Sequence, residues 1–480
     1  MMLRRLLLNA GSIVTHETLN RATTFVLYLI VARYLDDAAF GRLSLSLTLL
    51  YIVQVLAGFG LRTYMSREVA RDRATAGRYL GNGLVVSLAA SLVALGLLAA
   101  LTWGAGYPPE TRLAVLLFGL GAVPYAVGSV CQGLFQGLER MQLIPAVNVP
   151  ANVLKLAAAV LLLEGGSDIG AVALAVTGSQ LLAAGVSLVL ALRLVGAAGV
   201  RAAVDRESLV AVARGSAAFM GIDAVVAVWS VLPLFLLSLY ASEAEVGHFG
   251  AATQLLVPAS LVVTAVMVAA LPTLSRGFVE GAARLRGMTH ALLAVTLAIA
   301  VPAAAGLVFL APDALRVTYG PSFEEGVLAL RVMAPMVVFQ AVTTALGDAL
   351  LAGLKERVTL RIVALNSLVA LLLGLLLTPR LGATGAALAA LTAGVVNVGQ
   401  HYLPAVRLLG SVRLLKAGWR PVVAALAMVA VLDAARVHRL VPGVLLGGAV
   451  YLVTLTLLLW PALGGPRGLR ARLAQAWTRS

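Results

Sequence analysis

The sequence is poor in charged residues. They occupy only 12% of the 480 positions, whereas hydrophobic residues occupy 61%. A soluble domain carries about a quarter charged residues, so a chain of this length and composition lacks the polar surface that water-exposed domains need. We therefore predict an all-α integral membrane protein. The 47 glycines fit membrane helices that pack closely through small residues.

Other absences exclude whole classes of site. The single cysteine, Cys131, excludes an intrachain disulfide and a thiolate metal cluster. The five histidines show no metal-ligand spacing. The sequence contains no Gly-x-x-x-x-Gly-Lys-Ser/Thr motif, which excludes ATP hydrolysis through a P-loop. With no stretch long enough for a soluble catalytic domain, we predict that the protein is not an enzyme and uses no cofactor.

The net charge of +15 does not indicate nucleic-acid binding, because the basic residues form short clusters between apolar runs. If the N-terminus is cytoplasmic, 25 of the 36 Lys and Arg residues lie in inner segments and eight in outer ones. This asymmetry follows the positive-inside rule. It predicts a multi-pass protein of the cytoplasmic membrane with both termini inside.

The apolar runs predict about fourteen transmembrane helices, since each crossing needs about 20 apolar residues. The predicted spans are 8–34, 42–62, 79–103, 113–138, 143–163, 170–192, 209–240, 246–275, 288–312, 326–352, 359–378, 382–406, 421–436 and 442–462. The basic segment 466–480 follows the last span and is predicted to lie on the anionic inner leaflet.

The chain contains an internal repeat whose matching segments recur in the same order, at offsets between 206 and 216. The matches are Asp37–Gly41 with Glu243–Gly247, Ser66–Arg67 with Ser275–Arg276, Gly137–Arg140 with Gly353–Arg357, and Gly170–Ala175 with Gly385–Ala389. Such repeats are common in transporters. We predict two pseudo-symmetric six-helix lobes, 1–200 and 201–410, followed by two additional helices and a basic cytoplasmic tail over 411–480.

Four short motifs resemble those of polysaccharide-export flippases. They are EVGHFGAATQ at 245–254, ALPTLSR at 270–276, PRLGATGAALA at 379–389, and ARYL at 32–35 with Phe40-Gly41. That family belongs to the superfamily of multidrug and toxin extrusion antiporters and lipid II flippases. The resemblance implies a V-shaped pair of lobes with alternating access that passes a polyprenyl-pyrophosphate-linked oligosaccharide outward. We expect a monomer whose partners are this lipid-linked glycan and membrane lipids, with no nucleic acid.

The first span carries a polar stripe at helical spacing, formed by Asn9, Ser12, His16, Asn20 and Thr24. Lipid does not tolerate such a face, so we expect it to line a wet central cavity.

Glu17 and Arg21 lie one position away from this stripe, at the i, i+4 spacing of an ion pair. They either neutralise each other or act on the substrate. In the second case Arg21 meets the phosphates, because a guanidinium can bind two oxygens at once. Glu17 then orients Arg21 or binds a coupling cation, Na⁺ or H⁺. Adding the repeat offset of 206 to Glu17 gives Asp223, a second candidate for coupling.

Two further cations lie within predicted spans. Lys155 shares a face with Asn148 and Asn152, and either neutralises a pyrophosphate or pairs with a carboxylate on another helix. Arg214 either faces the cavity or extends to the cytoplasmic surface. Asp348, in the tenth span, is interpreted as structural.

Two other functions are weighed against a flippase. A drug or cation antiporter of the same superfamily would use Glu17 or Asp223, but such antiporters usually have twelve spans. A membrane glycosyltransferase would use Asp36 and Asp37, but it would need a sizeable outer domain. Those two acids are better interpreted as the start of the second helix.

Overall fold

The computed structural model describes the backbone of residues 2–197, 199 and 203–460. It describes their side chains except at 2–17, 268–269, 271–272, 275–276 and 356. The predicted basic tail therefore lies outside the described residues. Within the described part, all elements are helical, which confirms the predicted all-α class.

Sixteen α-helices occupy the described part of the chain. They are α1 Met2–Tyr34, α2 Asp37–Gly58, α3 Leu61–Arg71, α4 Ala76–Gly104, α5 Pro109–Gly119, α6 Ala122–Gly137, α7 Leu143–Glu164, α8 Ile169–Ala197, α9 Arg206–Ser238, α10 Glu243–Val279, α11 Ala282–Tyr319, α12 Val327–Met333, α13 Met336–Ala352, α14 Glu356–Leu409, α15 Leu414–Ala434 and α16 Leu440–Leu459.

Helix α4 shows how these helices suit lipid. Its large apolar side chains point outward, with Leu92, Val93 and Leu97 between 58% and 68% exposed. Its small polar residues Ser87 and Ser91 are fully buried, and each donates to a carbonyl of the preceding turn, 3.1 and 2.7 Å away. This pattern is the reverse of a soluble protein, and it is the one expected where hydrocarbon surrounds the helix.

Twelve helical segments of the described part are long and apolar enough to cross a membrane. The protein is therefore a multi-pass membrane protein, while the number of fourteen spans stays a prediction. Helix α14 is 54 residues long and has non-helical angles at Gly382, with φ 54° and ψ −135°. A continuous helix of that length would measure about 81 Å, more than twice the ~30 Å hydrocarbon core, and the break at Gly382 instead divides the segment into two helices. The break falls at the start of the predicted span 382–406.

The break in α14 leaves backbone N–H groups that need acceptors. The Ala383 N–H donates to Glu245 Oε1 of α10 at 2.6 Å. A carboxylate from the repeat motif 243–247 thus caps the helix that resumes after Gly382.

The chain divides into two compact units. Unit 1 comprises Met1–Ala251 and Val363–Ala389, and unit 2 comprises Ala252–Ile362 and Ala390–Ser480. Unit 1 has an apolar core where α3, α4, α6, α8 and α9 meet, with Met65, Leu80 and Leu134 fully buried. Unit 2 has its main core among α10, α11, α13 and α14, with a smaller one between α15 and α16.

Two matching segments of the repeat pack against each other in unit 1. A Cβ atom at Gly41 of α2 would overlap the carbonyl oxygen of Glu243, and one at Gly247 of α10 would overlap that of Asp37. The helices approach so closely because both contact residues are glycines. Arg42 Nη1 lies 2.7 Å from Glu243 Oε2 beside this contact.

Candidate substrate cavity

Unit 1 contains a partly open polar cavity of about 330 Å³. Its wall is formed by one face each of α1, α2, α6, α7 and α8, and by the beginning of α3. Its polar lining residues are Asn20, Thr24, Tyr51, Gln54, Arg62, Tyr125, Gln132, Asn148, Asn152, Lys155, Ser179, Gln180 and Ser187. A polar cavity of this size can hold several waters, since one water needs only about 15 Å³.

Helical spacing brings these residues together. Helix α7 contributes Asn148, Asn152 and Lys155, which are four and then three residues apart and therefore share one face. Helix α1 contributes Asn20 and Thr24 at the same spacing. Helices α1 and α7 thus each turn one polar stripe toward the cavity.

Lys155 is the most buried of the charged lining residues, with 7% of its surface exposed. Its Nζ donates to Asn152 Oδ1 at 2.9 Å, and Asn152 Nδ2 makes a longer contact of 3.4 Å with Asn20 Oδ1. No ion pair to Lys155 is found among the described side chains. Lys155 therefore lines the cavity without a carboxylate partner among the described side chains, and both interpretations of it, pyrophosphate neutralisation and pairing with a carboxylate, stay predictions.

Arg62 reaches the cavity because the chain breaks between α2 and α3. Phe59 and Gly60 both adopt left-handed angles, with φ 49° and 65°, and α3 begins directly afterwards. A Cβ atom at Gly60 would also press against the backbone of α9 at Ser216 and Met220. Glycine therefore permits both the turn and the close approach that place the exposed Arg62 at the wall.

The charge of the described wall is positive. Arg62 and Lys155 are its charged residues, and no carboxylate lies among the described lining residues. Asp223, on α9, does not line the cavity, but its carboxyl is within electrostatic reach of the Arg62 guanidinium. The cavity therefore favours an anionic group, while Asp223 can influence the charge on one side of it.

The structure places only some of the site residues predicted from the sequence at the cavity. Asn20 and Lys155 line the cavity. Arg21, Arg214 and Asp223 are exposed residues outside its lining. The side chains of His16 and Glu17 lie outside the described residues.

Sequence reasoning did not predict Arg62 and the glutamines Gln54, Gln132 and Gln180 as cavity residues. Arg62 was counted with the basic residues that orient the second span. The glutamines lie in otherwise apolar helices, and an amide in a span is itself a signal for a polar interior. Gln180 Oε1 is buried and has no hydrogen-bond partner in the described part of the chain, which leaves an acceptor available to a ligand or water.

The acidic pair considered for a glycosyltransferase has structural contacts. Asp36 caps α2 by accepting from the Ala39 N–H at 2.7 Å, as expected for the start of a helix. Asp37 Oδ2 lies 3.1 Å from His248 Nε2 of α10.

Comparison with protein families gives two matches. A model described as Polysaccharide biosynthesis protein matches residues 6–278, more than half of the chain. A model described as Lipid II flippase MurJ matches residues 250–457. No curated protein matches the sequence.

Solved structures share the fold at low sequence identity. A lipid II flippase MurJ in an inward closed conformation has a TM-score of 0.73 and 15% identity, covering 92% of this chain and 99% of that chain. An inward-facing multidrug resistance MATE family transporter of the MOP superfamily has a TM-score of 0.67 and 14% identity, covering 82% and 96%. A MOP superfamily transporter from Pyrococcus furiosus has a TM-score of 0.59 and 14% identity, covering 84% and 94%. The matching families and folds are those of transporters and flippases, not enzymes.

Proposed function

This chain belongs to the polysaccharide biosynthesis protein family, and on that premise we propose that it moves a polyprenyl-pyrophosphate-linked oligosaccharide from the inner to the outer leaflet of the cytoplasmic membrane. It acts as a monomer by alternating access, with both termini in the cytoplasm. Its fold is that of membrane transporters. The observation that carries the proposed substrate is the cationic cavity of unit 1.

The cavity suits the pyrophosphate of such a substrate. Lys155 and Arg62 present positive charge among neutral amides, with no carboxylate among the described lining residues, although Asp223 acts on Arg62 from outside the lining. Charge-assisted hydrogen bonds from Lys and Arg to phosphate are among the stronger ones in proteins. A cation within a membrane span costs at least about 2.5 kcal/mol, so a buried Lys155 without a described carboxylate partner is best explained by an anion that arrives during transport.

Asp223 is the proposed point of coupling to Na⁺ or H⁺. A cation that binds its carboxyl would neutralise the charge that acts on Arg62, and the guanidinium would then bind phosphate more strongly. Glu17 stays a second candidate at the matching position of the repeat. His16, Arg21 and Arg214 stay predictions for the substrate path outside the cavity described above.

Reconstitution into liposomes tests the proposal. We expect the purified protein to move a fluorescent polyprenyl-pyrophosphate oligosaccharide between leaflets, and Lys155→Met to lower that rate roughly 100-fold, because the variant loses a charge-assisted contact to phosphate. Arg193→Gln is the matched control, since it removes one exposed cation of α8 that is not part of the lining. Equal rates in the wild type and Lys155→Met would refute the role of the cavity.

Dye resistance and the accumulation of lipid-linked precursor distinguish the flippase from a cation antiporter. The described cavity wall repels cations, so we expect expression of the protein to give no resistance to cationic dyes. We expect its loss to cause lipid-linked precursor to accumulate inside the cell. Dye resistance together with unchanged surface glycan would overturn the flippase and favour the antiporter.

A further inference from the structure

Unit 2 contains a basic pocket that is separate from the cavity of unit 1. Its volume is about 530 Å³, and its lining residues are Arg286, His290, Ala294, Ser411, Arg413, Lys416 and Ala417. These residues come from the first turns of α11, the loop between α14 and α15, and the first turn of α15. No carboxylate lies among the described residues of this lining.

The inner part of the pocket is held in place by backbone contacts. The Arg413 N–H donates to His290 Nε2 at 3.3 Å, and Arg286 Nη1 lies 3.5 Å from the carbonyl oxygen of Leu409. Arg286 and His290 are half-buried, whereas Arg413 and Lys416 are exposed at the rim. The three cations Arg286, Arg413 and Lys416 therefore converge on one opening from three segments of the chain, beside a His290 ring that accepts a hydrogen bond.

The beginning of α15 adds to the positive potential. Arg413 occupies its N-cap position and provides no side-chain cap. The first N–H groups of a helix need acceptors and favour negative charge. Phosphate commonly provides both at such a helix end.

A second feature of α15 places this pocket at the surface of the bilayer. Leu415 is 89% exposed and Trp419 is 46% exposed, and the Arg420 guanidinium lies 5.2 Å from the Trp419 ring centre. Exposed Trp beside Arg is typical of the headgroup region, where the ring contacts both lipid and water. The positive-inside pattern predicts that this is the cytoplasmic surface.

We propose that this pocket binds the phosphate headgroup of a membrane lipid. Anionic lipids are attracted to basic pockets between membrane helices on the cytoplasmic side. The phosphate belongs either to an anionic bulk lipid such as phosphatidylglycerol or to a polyprenyl-pyrophosphate carrier. The site does not depend on the cavity of unit 1.

Native mass spectrometry of the full-length protein in detergent tests the site, with phosphatidylglycerol and polyprenyl pyrophosphate in separate arms. The test variant is Arg286→Gln/Arg413→Gln/Lys416→Gln. The control, Lys355→Gln/Arg357→Gln/Arg361→Gln, removes the same residue types from one predicted inner segment outside the pocket. We expect the test variant to bind roughly 100-fold more weakly, since each basic residue near an anionic surface contributes about fivefold, and the control to bind like the wild type.

The two arms identify the lipid. If the test variant binds phosphatidylglycerol more weakly than the control does, the site belongs to bulk lipid. If only the binding of polyprenyl pyrophosphate is weakened in this way, the site belongs to the carrier. The proposal would be overturned if the two triple variants lost the same amount of lipid binding. It would also be overturned if the wild type bound phosphatidylcholine as strongly as the anionic lipids. If the test variant does not fold, Arg413→Asp replaces it, because its carboxylate caps α15 and repels phosphate. Unchanged binding by Arg413→Asp would also overturn it.

Discussion

The two copies of the internal repeat share packing residues but not the polar residues of the cavity. Gly41 and Gly247, related by the offset of 206, both occur where α2 and α10 meet, and neither has room for a Cβ atom. The cavity residues behave differently. With the later offsets of 215 and 216, Lys155 corresponds to Ala370 or Leu371.

The same contrast holds for the first helix of each copy. Asn20 lines the cavity, whereas its counterpart at the offset of 206 is Val226, an exposed apolar residue of α9. Packing has therefore kept the small residues of the two copies alike, while the polar cavity belongs to the first copy. We infer that the substrate headgroup is bound by one half of the repeat, not by both equally.

The shared packing gives the largest expected effect. Gly41→Ala places a methyl group against the Glu243 carbonyl, and we expect a loss of about 3 kcal/mol in stability, as for overpacking of a tight core. Gly96→Ala on α4 is the control, because nothing lies within 4 Å of its new Cβ. Thermal unfolding in detergent should separate the two variants. A stable Gly41→Ala protein would show that the contact between α2 and α10 is not needed.

The difference in charge gives the next largest effect. If the first copy alone binds the headgroup, then Lys155→Met/Leu371→Lys should transport as poorly as Lys155→Met, about 100-fold below the wild type. Lys155→Arg should keep much of the activity because it retains the charge. Flipping rates in liposomes measure all three variants. Restored transport in the double variant would show that a lysine in the second copy can replace Lys155, which would contradict a headgroup site in the first copy alone.

The sequence was sufficient for the all-α membrane class and for part of the candidate cavity. Hydropathy predicted the membrane class, because a helix in lipid must be apolar around most of its surface. The spacing of Asn148, Asn152 and Lys155 predicted their common face. The sequence could not separate Arg62 from the basic residues that orient the second span, because its position depends on the left-handed break at Phe59 and Gly60.

Charges outside the cavity should act on stability instead of transport. Arg42, with a side chain 16% exposed, pairs with Glu243 at 2.7 Å, and we expect Arg42→Gln to cost about 1 kcal/mol. The double variant Arg42→Gln/Glu243→Gln should recover part of that loss, which a double-mutant cycle measures. Lys155→Met, in contrast, should leave the unfolding temperature unchanged or raised. If Lys155→Met lowered the unfolding temperature as well as transport, its loss of transport could be explained by instability. Lys155 would then not differ from the charges outside the cavity.

The smallest expected effect distinguishes the N-termini of α9 and α15. Asp205 Oδ1 accepts from the Ser208 N–H at 2.8 Å, and this bond lowers the pKa of Asp205, whereas α15 has no such cap. A lowered pKa contributes stability above the unfolded-state value of about 3.9, and that stability is lost as the pH falls through the folded-state value. Asp205→Asn should therefore reduce the dependence of the unfolding temperature on pH below about 4. Lys416→Gln removes a charge from the first turn of α15, where no carboxylate caps the helix. This variant should therefore keep the wild-type dependence of the unfolding temperature on pH. If the two variants respond alike, the carboxylate cap does not distinguish the two helix ends.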